Sequence, residues 1–257
     1  MSTEADHRLP RTVVPSRYEL TLEPDLASAS FTGTELVDVT VVEPTREVVL
    51  NAIELTIDDA AMIAADGATK LAADIAYDQA KQRATLSFDT ELAPGSWQLR
   101  TSFAGTLNDD LHGFYRSTYK DADGNEQVIA TTQFEATDAR RAFPCWDEPD
   151  LKATFAVTLV VDENLVAISN AAEISAEAVG GGKIAHRFAE TMKMATYLVA
   201  FIVGDLEIAG PVDAGGVPIR VLHTPGKGHL TEFALEAGAF ALDYFAEYYD
   251  IPYPGDK

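Results

Sequence analysis

The sequence has 257 residues, of which 41 are acidic and 19 basic, giving a formal net charge of −22 at neutral pH. Such a field repels phosphate backbones and argues against nucleic-acid partners, while 47% hydrophobic residues supply more core than a disordered chain carries. The longest fully apolar run, residues 197–203, is far too short to span a bilayer.

Along the chain, residues 1–8 contain no apolar segment of the signal-peptide kind. The single cysteine, Cys145, rules out an internal disulfide framework and suits a reducing compartment. A cytoplasmic protein with no membrane partner is expected. Period-two alternation and β-branched or aromatic residues predict strands at 18–22, 35–42, 84–88, 97–103, 128–135, 154–161 and 196–203. Turn residues separate them at Pro94-Gly95, at Asp123-Gly124-Asn125 and at Gly180-Gly181-Gly182. Many short strands with close turns indicate a mainly β fold, an antiparallel sandwich or a curved, saddle-like sheet.

The character of the chain changes near Gly210-Pro211. A further strand-like segment at 217–222 precedes Pro225-Gly226-Lys227-Gly228, and a helical pattern follows. Leu230, Phe233, Ala234, Ala237, Phe240, Ala241, Tyr244, Phe245 and Tyr248 recur at spacings of three and four, which makes one apolar stripe. Thr231 is placed to cap its start, and Pro252 and Pro254 stop the pattern. The expected division is a β domain over residues 1–210 and a second unit over 211–257. The stripe requires a partner: the β domain, a second copy, or the remainder of a domain lying beyond Lys257.

Residues 128–135 lead into the segment richest in chemistry. In a strand over these residues, Gln133 and Glu135 share a face, with α-carbons roughly 6.5 Å apart. A carboxylate and an amide so placed grip one small polar ligand, the carboxylate accepting from an ammonium. Taken on their own, a glutamine and a glutamate on a strand are ordinary solvated groups. Phe143, Pro144, Trp146 and Pro149 indicate a packed, proline-fixed turn leading to a strand from Ala153. Asp138, Arg140, Arg141, Asp147 and Glu148 are placed to form ion pairs that hold it. Asp147 and Glu148 make a poor acid–base dyad, because adjacent side chains on an extended chain diverge. Cys145 has no histidine nearby in sequence to activate it. Asp121, Asp123 and Asn125 resemble the start of a calcium loop, but Glu126 holds the glycine position, so a hairpin turn is expected. Gly180-Gly181-Gly182-Lys183 lacks phosphate-loop spacing, and no Gly-x-Ser-x-Gly elbow occurs. Among His7, His112, His186, His223 and His229 no pair forms His-Glu-x-x-His, so no zinc-binding helix is encoded.

Residues 131–149 read Thr-Thr-Gln-Phe-Glu-Ala-Thr-Asp-Ala-Arg-Arg-Ala-Phe-Pro-Cys-Trp-Asp-Glu-Pro. This closely resembles the signature carried by the N-terminal domain of zinc aminopeptidases of the aminopeptidase N family. The stretch His112-Gly113-Phe114-Tyr115-Arg116-Ser117 resembles the segment that pairs with it, and residues 193–201 add weaker similarity. The resemblance implies an antiparallel, saddle-like β-sandwich domain over 1–210, followed by the first strand and helix of a thermolysin-like α/β catalytic domain. It also implies roles. Glu135 helps bind the α-amine of a peptide substrate, Gln133 lines the pocket for the first side chain, and Arg140, Phe143, Pro144, Trp146, Asp147, Glu148 and Pro149 form the structural signature. The parent enzyme would remove N-terminal residues using zinc. Its zinc ligands would lie outside this chain, which alone would bind no zinc and hydrolyse nothing; the missing catalytic domain would be its partner. The alternatives are a non-catalytic β-sandwich binding or scaffold module of the same superfamily, and an epoxide-hydrolysing relative.

Overall fold

A computed structural model of the protein describes residues 8–255 and 257. Residues 1–7, with His7 and nearly all of the N-terminal stretch that lacks a signal-like apolar segment, lie outside the described residues, as does Asp256. In chain order the first strands are β1 (Val13–Asp25), β2 (Ser30–Val41), β3 (Thr45–Asn51), β4 (Leu55–Ala64), β5 (Lys70–Ala72) and β6 (Asp74–Asp78). They are followed by β7 (Arg83–Leu92), β8 (Gly95–Thr106), β9 (Gly113–Lys120), β10 (Glu126–Gln133), β11 (Thr154–Asp162) and β12 (Val166–Ser169). The last are β13 (Glu173–Gly180), β14 (Lys183–Phe188), β15 (Phe201–Gly204), β16 (Glu207–Ala214) and β17 (Val217–His223), ahead of helix α1 (Glu232–Tyr249).

The protein is mainly β, as the alternation requires. An eight-stranded sheet has the order β13-β14-β11-β1-β2-β8-β4-β5. Its pairs are antiparallel except β1 with β11, where Tyr18 stands opposite Phe155 in parallel register. A four-stranded sheet, β12-β15-β10-β9, and a three-stranded one, β3-β7-β6, complete the β domain. Their buried faces share one core. Strict alternation explains it: Tyr18, Leu20 and Leu22 of β1 point inward, as do Phe31, Val37, Val39 and Val41 of β2. Tyr18 stacks on Phe155 at 4.8 Å between ring centroids, and Phe31 meets Phe114 of β9 at 5.1 Å, joining the eight- and four-stranded sheets.

One inward position of β2 breaks the apolar rule. Glu35 lies opposite Leu20 and Thr101 and is only 2% exposed. Its Oε1 accepts a hydrogen bond from the Thr101 hydroxyl at 3.0 Å, while Oε2 is buried with no partner among the described residues. Burial raises this carboxyl to about 8, against the opposing pull of the Thr101 bond.

The segment expected as a strand at 196–203 is divided. Thr196–Leu198 forms a 3₁₀ turn, and only Phe201–Gly204 is strand. Thr196 explains this: its hydroxyl donates to the Trp146 carbonyl at 3.0 Å and bends the chain over the signature segment. At the C-terminal end, β16 and β17 form a separate hairpin on which α1 packs. The division drawn at residue 210 falls inside β16, whose pairing with β17 starts at Glu207.

Helix α1 forms where its periodicity predicts, with two differences. Thr231 occupies the N-cap position without capping. Its backbone is helical, and its hydroxyl donates to the Gly228 carbonyl at 2.8 Å. The helix stops at Tyr249, before either proline, because Asp250 turns left-handed at φ 54°. The aromatic stripe does not fold back on the β domain. Leu235, Gly238, Ala239, Ala241, Leu242 and Ala246 are the partly buried positions, Gly238 lying close enough to Ile219 that a β-carbon would sit 3.5 Å from it. Phe233, Phe240, Tyr244 and Tyr248 face solvent, Phe240 at 71% exposure. The hairpin is only two strands wide, so it covers the narrow small-residue face and leaves the aromatic one open.

Candidate functional site

The site is built on the β9–β10 hairpin. Its turn is closed by Asp121, whose carboxylate accepts from the backbone of Asp123 and Asn125 at 3.0 and 2.9 Å and from the Gln127 amide at 2.9 Å. The antiparallel register brings Gln133 opposite Gly113 at the far end.

β10 ends at Gln133, two residues before the expected boundary. Phe134 causes the break. Its ring is buried against Phe143 and Phe201, at 6.1 and 5.9 Å between centroids, and pegs the chain to the core. Glu135 then opens a turn over residues 135–138, closed by the Asp138 N–H donating to the Phe134 carbonyl at 2.8 Å. The Glu135–Ala136 peptide bond is cis. Gln133 and Glu135 are both exposed, and they are linked: the Gln133 amide Nε2 donates to the Glu135 carbonyl at 3.3 Å. Strand alternation therefore does not place Glu135; the turn and this bond do. Among the described residues, no hydrogen bond or ion pair reaches the Glu135 carboxylate.

Beneath the turn lies a buried polar frame. Arg140 Nε donates to Asp147 Oδ2 at 2.9 Å, and Arg140 Nη1 to Gln82 Oε1 at 3.0 Å. Burial holds the Asp147 carboxyl above its ordinary range, with Arg140 pulling it down. Asn51, at the end of β3, exchanges backbone bonds with Cys145 at 2.8 and 3.0 Å, and its side chain accepts from the Asp147 N–H at 3.2 Å. The Trp146 N–H donates to the Tyr18 hydroxyl at 3.2 Å. Phe143, Pro144 and Trp146 are buried, whereas Pro149 is exposed. Glu148 takes no part in a dyad with Asp147; it pairs with Arg11 at 2.6 Å, and the Leu9 N–H donates to it as well. Burial, and then the Asp147 charge, push the Cys145 thiol well up, so it stays protonated and inert.

Sequence reasoning missed the residues that come from far away in the chain. Arg141 Nε donates to Asp138 Oδ1 at 2.8 Å, and Arg141 Nη1 lies 2.5 Å from Glu54 Oε1. Glu54 sits in the β3–β4 connection, where the Ile53 N–H donates to the Arg140 carbonyl at 3.1 Å. No local spacing announces Asn51 or Glu54; only the approach of the three-stranded sheet does.

Among the described residues no three His, Cys, Asp or Glu side chains converge as a metal site. The sequence contains no His-Glu-x-x-His, the zinc-binding helix motif. No helix among the described residues is long and apolar enough to cross a membrane. A cleft of about 1030 Å³ opens between the end of β12 and the hairpin with α1, lined by Ile168, Ile208, Ile219, Leu222, Leu242 and Phe245 among others. Neither Gln133 nor Glu135 lines it.

The family model described as the peptidase M1 N-terminal domain matches residues 14–198. The chain is 43% identical over 250 residues to aminopeptidase 2 of Candida albicans, covering 97% of this chain and 26% of that protein. It is 42% identical over 257 residues to aminopeptidase M1 of Arabidopsis thaliana, covering 99% of this chain and 29% of the relative. With the puromycin-sensitive aminopeptidase of Caenorhabditis elegans it shares 41% identity over 251 residues, 97% of this chain and 26% of the other. The chain thus spans between 26% and 29% of the length of these three relatives.

Proposed function

The chain belongs to the peptidase M1 family through that N-terminal domain, and on this premise we propose that it is the substrate-anchoring part of an aminopeptidase. Glu135 holds the protonated α-amine of a peptide, and Gln133 lines the pocket for the first side chain. The observation that carries this reading is the Glu135 carboxylate itself. It is exposed and unpaired among the described residues, yet it stands on a turn pegged by Phe134 and backed by the Arg140–Asp147 frame.

An aminopeptidase must measure distance from a free amino terminus. An α-amine has a pKa of roughly 7.7–8.0 and is mostly protonated at neutral pH, so a fixed carboxylate is a suitable ruler. Once bound substrate shields this pair from water, removing one member costs about 2–5 kcal/mol, enough to reject a blocked terminus. Gln133 contributes an amide whose Nε2 is occupied by the Glu135 carbonyl, leaving its Oε1 to accept from substrate.

The family is generally zinc-dependent, and the ligands for that metal would come from residues other than these. The α1 stripe of Phe233, Phe240, Tyr244 and Tyr248 supplies the seat for the remainder of the peptidase domain, so residues 211–257 act as its first strand and helix. A cytoplasmic setting belongs to the same proposal and rests on the single, buried thiol of Cys145.

Reading the coding sequence beyond the codon for Lys257 tests the assignment. A His-Glu-x-x-His motif followed by a glutamate on a later helix is expected. A stop codon at that point would overturn it and leave a β-sandwich binding module.

A further inference from the structure

We propose that Glu54, Arg141 and Asp138 form a strut that fixes the turn carrying Glu135, which makes Glu54 and Arg141 positioning residues for the amine anchor; this rests on reading Glu135 as that anchor. Arg141 touches three separate parts of the site. Its guanidinium bridges two carboxylates, Asp138 at 2.8 Å and Glu54 at 2.5 Å. Asp138 is the last residue of the turn that Glu135 opens, and its N–H already closes that turn on Phe134. Glu54 lies in the β3–β4 connection, far from the turn in sequence, so the bridge adds a side-chain tie to the backbone bond that already joins Ile53 to Arg140.

The stem of Arg141 makes the third contact. It lies over Gly113, where a β-carbon would stand 2.7 Å from Arg141 Cβ and 3.1 Å from Cδ. Gly113 has φ +72°, a conformation that only glycine adopts freely, and it is the register partner of Gln133. Arg141 therefore rests on the strand end opposite Gln133 while gripping the far end of the Glu135 turn. Glu54 is itself held at φ 60°, left-handed for a residue with a side chain, by the neighbouring Ile53-to-Arg140 backbone bond. A lysine at position 141 keeps the charge but presents no planar fork to bridge both carboxylates.

The side chain of Glu54 is 56% exposed, and that of Arg141 15%. An ion pair with one partner so open to water contributes little to stability. Removing Glu54 should thus leave folding unchanged and alter the site alone. Misplacing a positioned group by about 1 Å costs up to roughly 10²-fold.

The test is a kinetic cycle in the full-length protein on an aminoacyl p-nitroanilide bearing a free α-amine. Glu54→Ala is expected to raise KM roughly three- to thirtyfold, with kcat and the thermal midpoint unchanged, and Arg141→Lys to raise KM likewise. In a Glu135→Ala background, Glu54→Ala should add nothing, since the group it positions is gone. An unchanged KM in Glu54→Ala, or an effect that adds fully to Glu135→Ala, overturns the strut while leaving the anchor intact. Unchanged kinetics in Glu135→Ala alone would remove the anchor, and with it anything for the strut to position.

Discussion

Replacing Glu35 by glutamine should flatten the pH dependence of stability of this chain. The wild-type carboxyl is buried on the inner face of the eight-stranded sheet, and among the described residues only Thr101 bonds to it. Its pKa is about 8 in the folded state against 4.5 for the ordinary side chain. The folded protein therefore keeps a proton that the unfolded chain has released wherever the pH lies between these values. The stabilisation is fully present below about pH 4.5 and is lost as pH rises towards 8. The loss is about 1.4 kcal/mol per pH unit, on the order of 3 kcal/mol between pH 5 and 7.5. Glu35→Gln does not titrate. Any fixed cost of its unpaired amide shifts all its values equally and leaves the slope untouched. Urea unfolding followed by tryptophan fluorescence at pH 5, 6, 7 and 8 measures both proteins, and the other carboxylates cancel in the difference. The gap between the two should grow in favour of glutamine by about 1.4 kcal/mol per unit. Parallel curves would refute the reasoning and mean that Glu35 is solvated or paired in the folded protein.

Two other consequences concern packing and charge. Arg140→Ala strands the Asp147 carboxylate, whose side chain is 2% exposed, and should cost about 3–5 kcal/mol in thermal or urea unfolding. Arg100→Ala, which breaks an exposed pair with Asp59, should cost less than about 1 kcal/mol; equal losses would contradict the buried frame. The solvent-facing rings of α1 should make this chain associate at high concentration. Phe240→Glu with Tyr248→Glu should abolish that association in sedimentation velocity, and a concentration-independent wild-type monomer would argue against an unsatisfied face.

The legibility of the fold followed burial. β1, β2 and β11 each bury one face, and β8 does so from Leu99 to Phe103, which makes period two visible in their residues. β6 and β13 are exposed on almost every residue and left no alternation to read. The same pattern held an unused signal at Glu35, a charged residue at an inward position between Gly33 and Val37. For α1 the period identified the helix but not the face it buries, because the larger aromatic face is the one left open. In the site, alternation that continues to Phe134 predicts a strand through Glu135, but the burial of Phe134 ends the strand rather than prolonging it. The ion pairs of the signature were foreseeable from its own residues. Their partners Asn51, Glu54 and Gln82 were not, since a contact across sheets has no local spacing.

The amine anchor is the central claim, and Glu135→Ala in the full-length protein tests it most directly. The values of kcat/KM on a free aminoacyl p-nitroanilide should fall by roughly thirtyfold or more, the equivalent of losing about 2 kcal/mol or beyond, with metal content and thermal midpoint unchanged. An unaltered kcat/KM would show that the substrate's amino terminus is held elsewhere.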